Sequence, residues 1–202
     1  IEDYNKNSFS LEKIIDGIDI PWGLSFTGKD SFLVTDKKGI LYHVENGDKT
    51  IVEGIPNIVL SRQGGLLDVA VDNNFEINNR IYFTASVSLS GTGSNTTLFT
   101  AIFSNNNLSS LEILYKAEPD STEERHFGGS LLVTDEFIFF TIGDRGNRDV
   151  NPQDITLDGG KIYRLNLDGS IPESNPFKDT IDSKKAIWSY GHRNPQGIMK
   201  GL

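Results

Sequence analysis

The sequence of 202 residues contains no cysteine, which excludes disulfide bonds, thiolate metal sites and cysteine nucleophiles. It has no apolar run approaching the ~20 residues that a membrane-spanning helix requires. It also lacks a run of lysines and arginines, and its net charge is −9. Such an acidic chain repels the phosphate backbone and anionic membranes. We therefore expect neither nucleic acid nor a membrane span.

Strand signals dominate what is present. Short β-branched or aromatic runs alternate with turn signals rich in Gly, Asn and Asp, and no window shows helical periodicity over three turns. The pattern predicts an all-β fold. The predicted strands are residues 31–35, 40–44, 81–85, 98–103, 131–133, 137–142, 161–165 and 186–189.

One internal pattern recurs along the chain. A glycine-containing segment, called here an entry segment, precedes an apolar strand that ends in threonine. Four-stranded units at a spacing of roughly 40–70 residues are typical of β-propeller blades, with the entry segments innermost and their polar residues converging on one mouth of the channel. A sandwich would not explain the recurrence. The entry segments are residues 21–26, 63–67, 126–131 and 193–198.

The repeat also predicts how much of a propeller is present. Three full units precede the fourth entry segment, so residues 1–202 are expected to form a partial propeller covering about the first three to four blades. Because a propeller must close to remove its sheet edges, we expect the natural protein to continue past Leu202.

Histidine is the side chain best suited to proton abstraction near neutral pH, and the chain has three. His43 lies within a predicted strand and is expected to be structural. His126 and His192 both lie at entry segments, and Gly128 follows His126 closely enough to let the backbone pack tightly there. From spacing alone, a structural role and a catalytic role for His126 both remain open.

Two further residues have open alternatives. Asp144, flanked by Gly143, either closes an Asx-turn, belongs to a calcium loop, or orients a histidine. The calcium alternative is weak, because the sequence lacks the alternating ligand spacing of an EF-hand. Arg193 either binds an anionic or quinone oxygen or pairs with a carboxylate of a neighbouring blade.

Several motifs together carry a family resemblance. In chain order they are PWGL at 21–24, QGGLLDVA at 63–70, HFGG at 126–129, GDRG at 143–146 and WSYGHRNPQG at 188–197. This ordered set resembles the glucose/sorbosone dehydrogenase family, the soluble PQQ-dependent aldose sugar dehydrogenases. The resemblance implies a six-bladed propeller with PQQ over the central channel, and an enzyme that oxidises an aldose at C1 to the lactone.

The resemblance also implies roles for particular residues. His126 would be the general base, Asp144 would hold it, and hydride would pass to PQQ. Arg193 would stabilise the quinone oxygen, and Gln63, Arg193 and Asn194 would bind the cofactor. An external electron acceptor would reoxidise PQQ. We expect a periplasmic or secreted location, although a cysteine-free chain is compatible with the cytosol too.

The sequence departs from the family in two respects. Ser130 stands where members often carry arginine. The family's calcium ligands and the cations that grip the PQQ carboxylates are expected beyond Leu202, so this chain alone is not expected to bind PQQ well. The alternatives to the enzyme are a non-catalytic propeller binding module and an inactive fragment of the same scaffold. The sequence leaves the sugar and the oligomeric state open.

Overall fold

The computed structural model describes residues 10–88 and 90–201, so both ends of the predicted domain, residues 1–202, lie outside the described residues. Three four-stranded antiparallel sheets account for the strands. The first contains β1 (Pro21–Gly28), β2 (Ser31–Asp36), β3 (Ile40–Glu45) and β4 (Asp48–Val52). The second contains β5 (Leu66–Val71), β6 (Arg80–Val87), β7 (Asn95–Ser104) and β8 (Asn107–Lys116). The third contains β9 (Gly128–Val133), β10 (Phe137–Ile142), β11 (Lys161–Asn166) and β12 (Ile187–Tyr190).

Each sheet is a meander in which consecutive strands are neighbours. The first strands of the three sheets pack side by side, because β5 contacts both β1 and β9. The sheets are therefore blades whose entry segments lie innermost, which confirms the predicted all-β fold and partial propeller. A single turn of helix, α1 (Phe75–Asn78), interrupts the second blade and is too short to produce a periodic sequence signal.

The hydrophobic core consists of two layers, each formed between adjacent blades. Leu33 and Leu41 of the first blade pack with Phe83 of the second, and Tyr82 of the second packs with Phe140 of the third. Adjacent residues of β6 therefore point to opposite faces, and both faces are buried. This explains why β6 reads as a continuous apolar run instead of an alternating one.

The recurring threonine has a structural role that is the same in every blade. On the inner strand of each blade, two residues oppose one threonine of the second strand, which makes a β-bulge. The threonine hydroxyl accepts a hydrogen bond from the bulged backbone N–H and donates one to a carbonyl of the next inner segment. In the second blade, Thr84 Oγ1 accepts from Asp68 N at 3.1 Å and donates to Gly129 O at 2.5 Å. The three bulge threonines are Thr35, Thr84 and Thr141.

The same rule locates the fourth entry segment. Thr141 Oγ1 donates to Pro195 O at 2.8 Å. Pro195 O therefore accepts a hydrogen bond from the bulge threonine of the third blade, as Gly129 O accepts one from that of the second blade. Residues 193–198 thus occupy an inner position beside the third blade, although they form no strand within the described residues.

The predicted strands match the middle strands well, whereas the inner strands β1 and β5 were predicted only as entry segments and two outer strands were not predicted. β4 and β8 were not predicted, because most of their side chains are exposed and their sequences lack an apolar pattern. Ladder hydrogen bonds to β3 and β7 hold them instead. The strand predicted at 186–189 begins one residue later, at Ile187.

Candidate active site

His126 lies just before β9, at the inner end of the third blade. Its backbone is left-handed, with φ of 58°, a conformation that costs a non-glycine residue on the order of 1 kcal/mol. Its backbone N–H donates to Gln63 Oε1 at 2.7 Å, and Gln63 N donates to Glu124 O at 2.9 Å. These two bonds join the second entry segment to residues 124–126, so the structure brings Gln63 and His126 together.

The imidazole of His126 is paired with Asp144. Nδ1 lies 2.7 Å from Asp144 Oδ1, which also accepts the backbone N–H of Gly146 at 2.8 Å. An ionised carboxylate only accepts, so the hydrogen between the pair belongs to Nδ1. In the neutral imidazole Nε2 is then unprotonated, and it has no hydrogen-bond partner among the residues described. The side chain of His126 retains 11% exposure.

Asp144 is fully buried and combines two of the roles left open by its sequence. The bond from Gly146 N closes an Asx-turn, and the bond from His126 orients the histidine. The Asp144 backbone is held as well, because Asp144 N donates to Arg193 O at 2.7 Å and Asn151 Nδ2 donates to Asp144 O at 2.9 Å. Across residues 10–88 and 90–201, no group of three or more His, Cys, Asp or Glu side chains is placed to hold a metal ion.

Glycine at two positions allows the backbones to meet. A Cβ on Gly143 would lie 2.0 Å from His126 O, so the turn that carries Asp144 could not approach the histidine with any larger residue. Gly128 adopts φ of 66° and donates its N–H to Asn194 Oδ1 at 3.1 Å. This bond brings Asn194, from the fourth entry segment, to the same place.

Arg193 joins this cluster through its backbone, while its side chain is exposed. Within the part of the chain that the structure describes, its guanidinium forms no salt bridge, so pairing with a carboxylate of a neighbouring blade finds no support. The side-chain amide nitrogens of Gln63 and Asn194 likewise donate to no described residue. The amide groups of Gln63 and Asn194 therefore lie beside the backbone of residues 126–128, and the backbone of Arg193 contacts Asp144.

The other two histidines differ from His126. Both ring nitrogens of His43 are hydrogen-bonded, to Ser31 Oγ and to Asn106 Oδ1, each at 2.8 Å. His192 Nε2 lies 2.9 Å from Ser189 Oγ, and burial lowers the pKa of His192. Neither is paired with a carboxylate of the described residues.

Ser130 and Lys161 are buried near this site. Ser130 Oγ donates to Asp68 Oδ2 at 3.3 Å across the interface between the second and third blades, and burial raises the pKa of Asp68. Position 130, where the family often has arginine, thus faces a carboxylate of the neighbouring blade. Sequence reasoning missed Lys161, whose ammonium donates to the carbonyls of Asn151, Asp154 and Gly159 and so shapes the loop that supports Asp144. Burial lowers its pKa to about 8.

Of the residues described, none belongs to a helix long and apolar enough to cross a membrane.

Comparison with known proteins identifies what these features resemble. The family model described as glucose / sorbosone dehydrogenase matches residues 18–200. The aldose sugar dehydrogenase YliI of Escherichia coli is 30% identical over 94% of this chain and 52% of its own length. The crystal structure of the soluble aldose sugar dehydrogenase from E. coli in the apo form superposes with a TM-score of 0.87 at 31% identity, covering 92% of this chain and 55% of that one.

A further solved structure is the PQQ-bound form of an aldose sugar dehydrogenase from Streptomyces coelicolor. It superposes with a TM-score of 0.78 at 25% identity, covering 91% of this chain and 54% of that one. The chain spans about half the length of the relatives it matches. Because the family model covers nearly all of it, this chain belongs to the glucose/sorbosone dehydrogenase family.

Proposed function

We propose that the protein carrying this chain is a PQQ-dependent dehydrogenase that oxidises an aldose at C1 to the lactone, with His126 as the general base. The observation that supports the proposal best is the pairing of His126 Nδ1 with the buried Asp144 at 2.7 Å, which leaves Nε2 as an unengaged base. A protein that only binds ligands has no need of a histidine held in one tautomer by a buried carboxylate.

In the proposed reaction His126 Nε2 takes the proton of the anomeric hydroxyl. The imidazolium that forms is stabilised by Asp144, which is already in contact and needs no reorganisation. The chemistry that PQQ supplies when bound is the acceptance of hydride from C1, so the sugar loses one proton and one hydride and becomes the lactone.

The donors around His126 suit a planar cofactor that carries quinone and carboxylate oxygens. Arg193 offers an exposed guanidinium without a described salt-bridge partner, and Gln63 and Asn194 each offer an amide NH₂ while their oxygens are bonded to backbone N–H groups. Quinone and carboxylate oxygens accept hydrogen bonds from guanidinium and amide N–H groups. These three residues would hold one side of PQQ, with Arg193 at the quinone oxygen that gains charge.

Calcium, an external electron acceptor and a periplasmic or secreted location complete the proposal. The proposal expects the calcium ligands, and the cations that bind the PQQ carboxylates, in other parts of the whole protein. We therefore expect the isolated chain to bind PQQ weakly.

The test compares His126→Asn with His43→Asn in the intact protein, loaded with PQQ and calcium and assayed with glucose and other aldoses through a dye acceptor. Asparagine places its Nδ2 where histidine has Nδ1, so it can still donate to Asp144 while Nε2 is lost. We expect His126→Asn to lower kcat by about 10²–10⁴-fold, the usual contribution of a general base. PQQ affinity, measured by fluorescence titration, should stay within about threefold, and His43→Asn should leave kcat unchanged.

Two results would contradict the proposal in different ways. Failure of the natural protein to oxidise any aldose would exclude the dehydrogenase and favour a binding module. Turnover that persists in His126→Asn would leave the enzyme but assign the base elsewhere.

A further inference from the structure

Arg145 follows Asp144 directly in the chain, and its environment is unusual for an arginine. It is 4% exposed, and its guanidinium carbon lies 3.4 Å from the ring centroid of Phe127. No carboxylate forms a salt bridge with it among the residues that the structure describes. Burial lowers its pKa to about 10, so it is charged at neutral pH. A buried cation in this setting must be stabilised by other groups.

Those groups are backbone carbonyls that precede His126. Nη1 of Arg145 donates to Arg125 O, and Nη2 donates to Glu123 O at 2.5 Å and to Ser94 O at 3.3 Å. Phe127, whose ring lies under the guanidinium, is the residue that follows His126. The side chain of Arg145 therefore contacts the chain on both sides of the histidine.

The bond to Arg125 O has a specific consequence. That oxygen belongs to the peptide group whose N–H is the backbone N–H of His126, and this N–H donates to Gln63 Oε1 at 2.7 Å. One peptide plane is thus fixed at its oxygen by Arg145 and at its hydrogen by Gln63. The orientation of this plane sets the φ of His126, which is 58° and would not persist without outside support.

We propose that Arg145 is a positioning residue for His126: it clamps the Arg125–His126 peptide against Gln63, so that the imidazole stays aligned on Asp144. Neighbouring residues of one turn then hold the histidine from two directions, with Asp144 at its ring and Arg145 at its backbone. Arg145 is itself left-handed, with φ of 51°, which directs its side chain toward residues 123–127.

Arginine suits this role better than lysine. Its planar guanidinium can lie flat on Phe127 and still donate to carbonyls at residues 94, 123 and 125. An ammonium group is a compact point charge and would not reach these oxygens from one position. The effect on turnover rests on the proposed function, whereas the clamp itself does not.

The test uses Arg145→Met, which keeps length but removes charge and donors, and Arg145→Lys, which keeps the charge. Arg148→Met is the matched control, because Arg148 lies in the same turn with its side chain 74% exposed. The first readout is the imidazole ¹⁵N spectrum of the intact, cofactor-free protein, with His126→Asn used to assign the His126 signals. The second is kcat and KM of the PQQ-loaded protein with glucose.

We expect Arg145→Met to shift or broaden the His126 Nδ1 signal while the His43 signals stay unchanged. It should lower kcat by about 100-fold, the loss that a displacement near 1 Å can cause, with KM within about twofold. Arg145→Lys should recover part of the loss, and Arg148→Met should match the natural protein in both readouts.

A folded Arg145→Met variant with unchanged His126 signals and kcat within twofold would overturn the assignment. If Arg145→Met does not fold, Arg145→Lys decides by the same two readouts. If the natural protein oxidises no aldose, the proposed function fails, and the imidazole signals alone then decide whether Arg145 positions His126.

Discussion

The bulge threonines allow a stability prediction that does not depend on function. Thr84 and Thr97 lie on neighbouring strands of the second blade, β6 and β7, and both are fully buried. Thr84 Oγ1 makes two hydrogen bonds, with Asp68 N and Gly129 O, whereas Thr97 Oγ1 has no hydrogen-bond partner in residues 10–88 and 90–201. Replacing each by valine keeps the shape of the side chain and replaces only the hydroxyl, by a methyl group.

The expected magnitudes follow from these partners. In Thr84→Val two buried backbone groups lose their partner, and each such loss costs about 1–3 kcal/mol, so the free energy of unfolding should fall by roughly 2–6 kcal/mol. Asp68 N cannot return to the strand ladder, because it belongs to the bulge between Leu66 and Val69. In Thr97→Val a buried hydroxyl without a partner is removed, so the free energy of unfolding should stay the same or rise by up to about 1 kcal/mol.

The assay is equilibrium urea denaturation of the intact protein, followed by tryptophan fluorescence, with Thr84→Ser as a third variant. Serine keeps the hydroxyl and loses one methyl group, so it should cost only about 1 kcal/mol. Equal destabilisation by Thr84→Val and Thr97→Val would refute the reasoning, as would Thr84→Ser being as unstable as Thr84→Val.

Two further predictions concern carboxylates. Asp144→Asn keeps an oxygen for Gly146 N but removes the charge beside His126. Because a hydrogen bond to a charged group contributes about 1.5–3 kcal/mol, kcat should fall by about 10–100-fold. The control Asp149→Asn changes an exposed carboxylate in the same loop and should leave kcat unaltered. Burial raises the pKa of Asp68, so its contribution to stability is present below about pH 4 and is lost as pH rises through the raised pKa. The free energy of unfolding of the natural protein, minus that of Asp68→Asn, should therefore fall in urea titrations as the pH rises above about 4, and a pH-independent difference would contradict this.

The sequence by itself determined the all-β class and the repeating blade, because both depend on local pattern. Apolar runs such as β10 (Phe137–Ile142) were predicted to the residue, because one face of the strand is buried, the other is at least partly buried, and every position is apolar or small. The entry segments were recognisable because their glycines lie where backbones approach closely: a Cβ on Gly23 would lie 2.8 Å from Asp68 Cα, and one on Gly65 would lie 1.9 Å from Lys37 O. Strands β4 and β8 were not predicted from the sequence, because the hydrogen bonds that hold them to a neighbouring strand do not depend on side-chain composition.

The sequence singled out His126 through its family resemblance, whereas the physical difference between His126 and the other two histidines appears only in the tertiary structure. All three lie in or beside apolar strands, and what distinguishes His126 is a buried carboxylate that the chain supplies 18 residues later. The same holds for Arg145. In the sequence it is a charged residue in a turn, and only the fold brings the carbonyls of residues 123 and 125 into hydrogen-bond contact with it. Contacts between groups distant in sequence depend on how blades pack, and packing is a property of the whole fold.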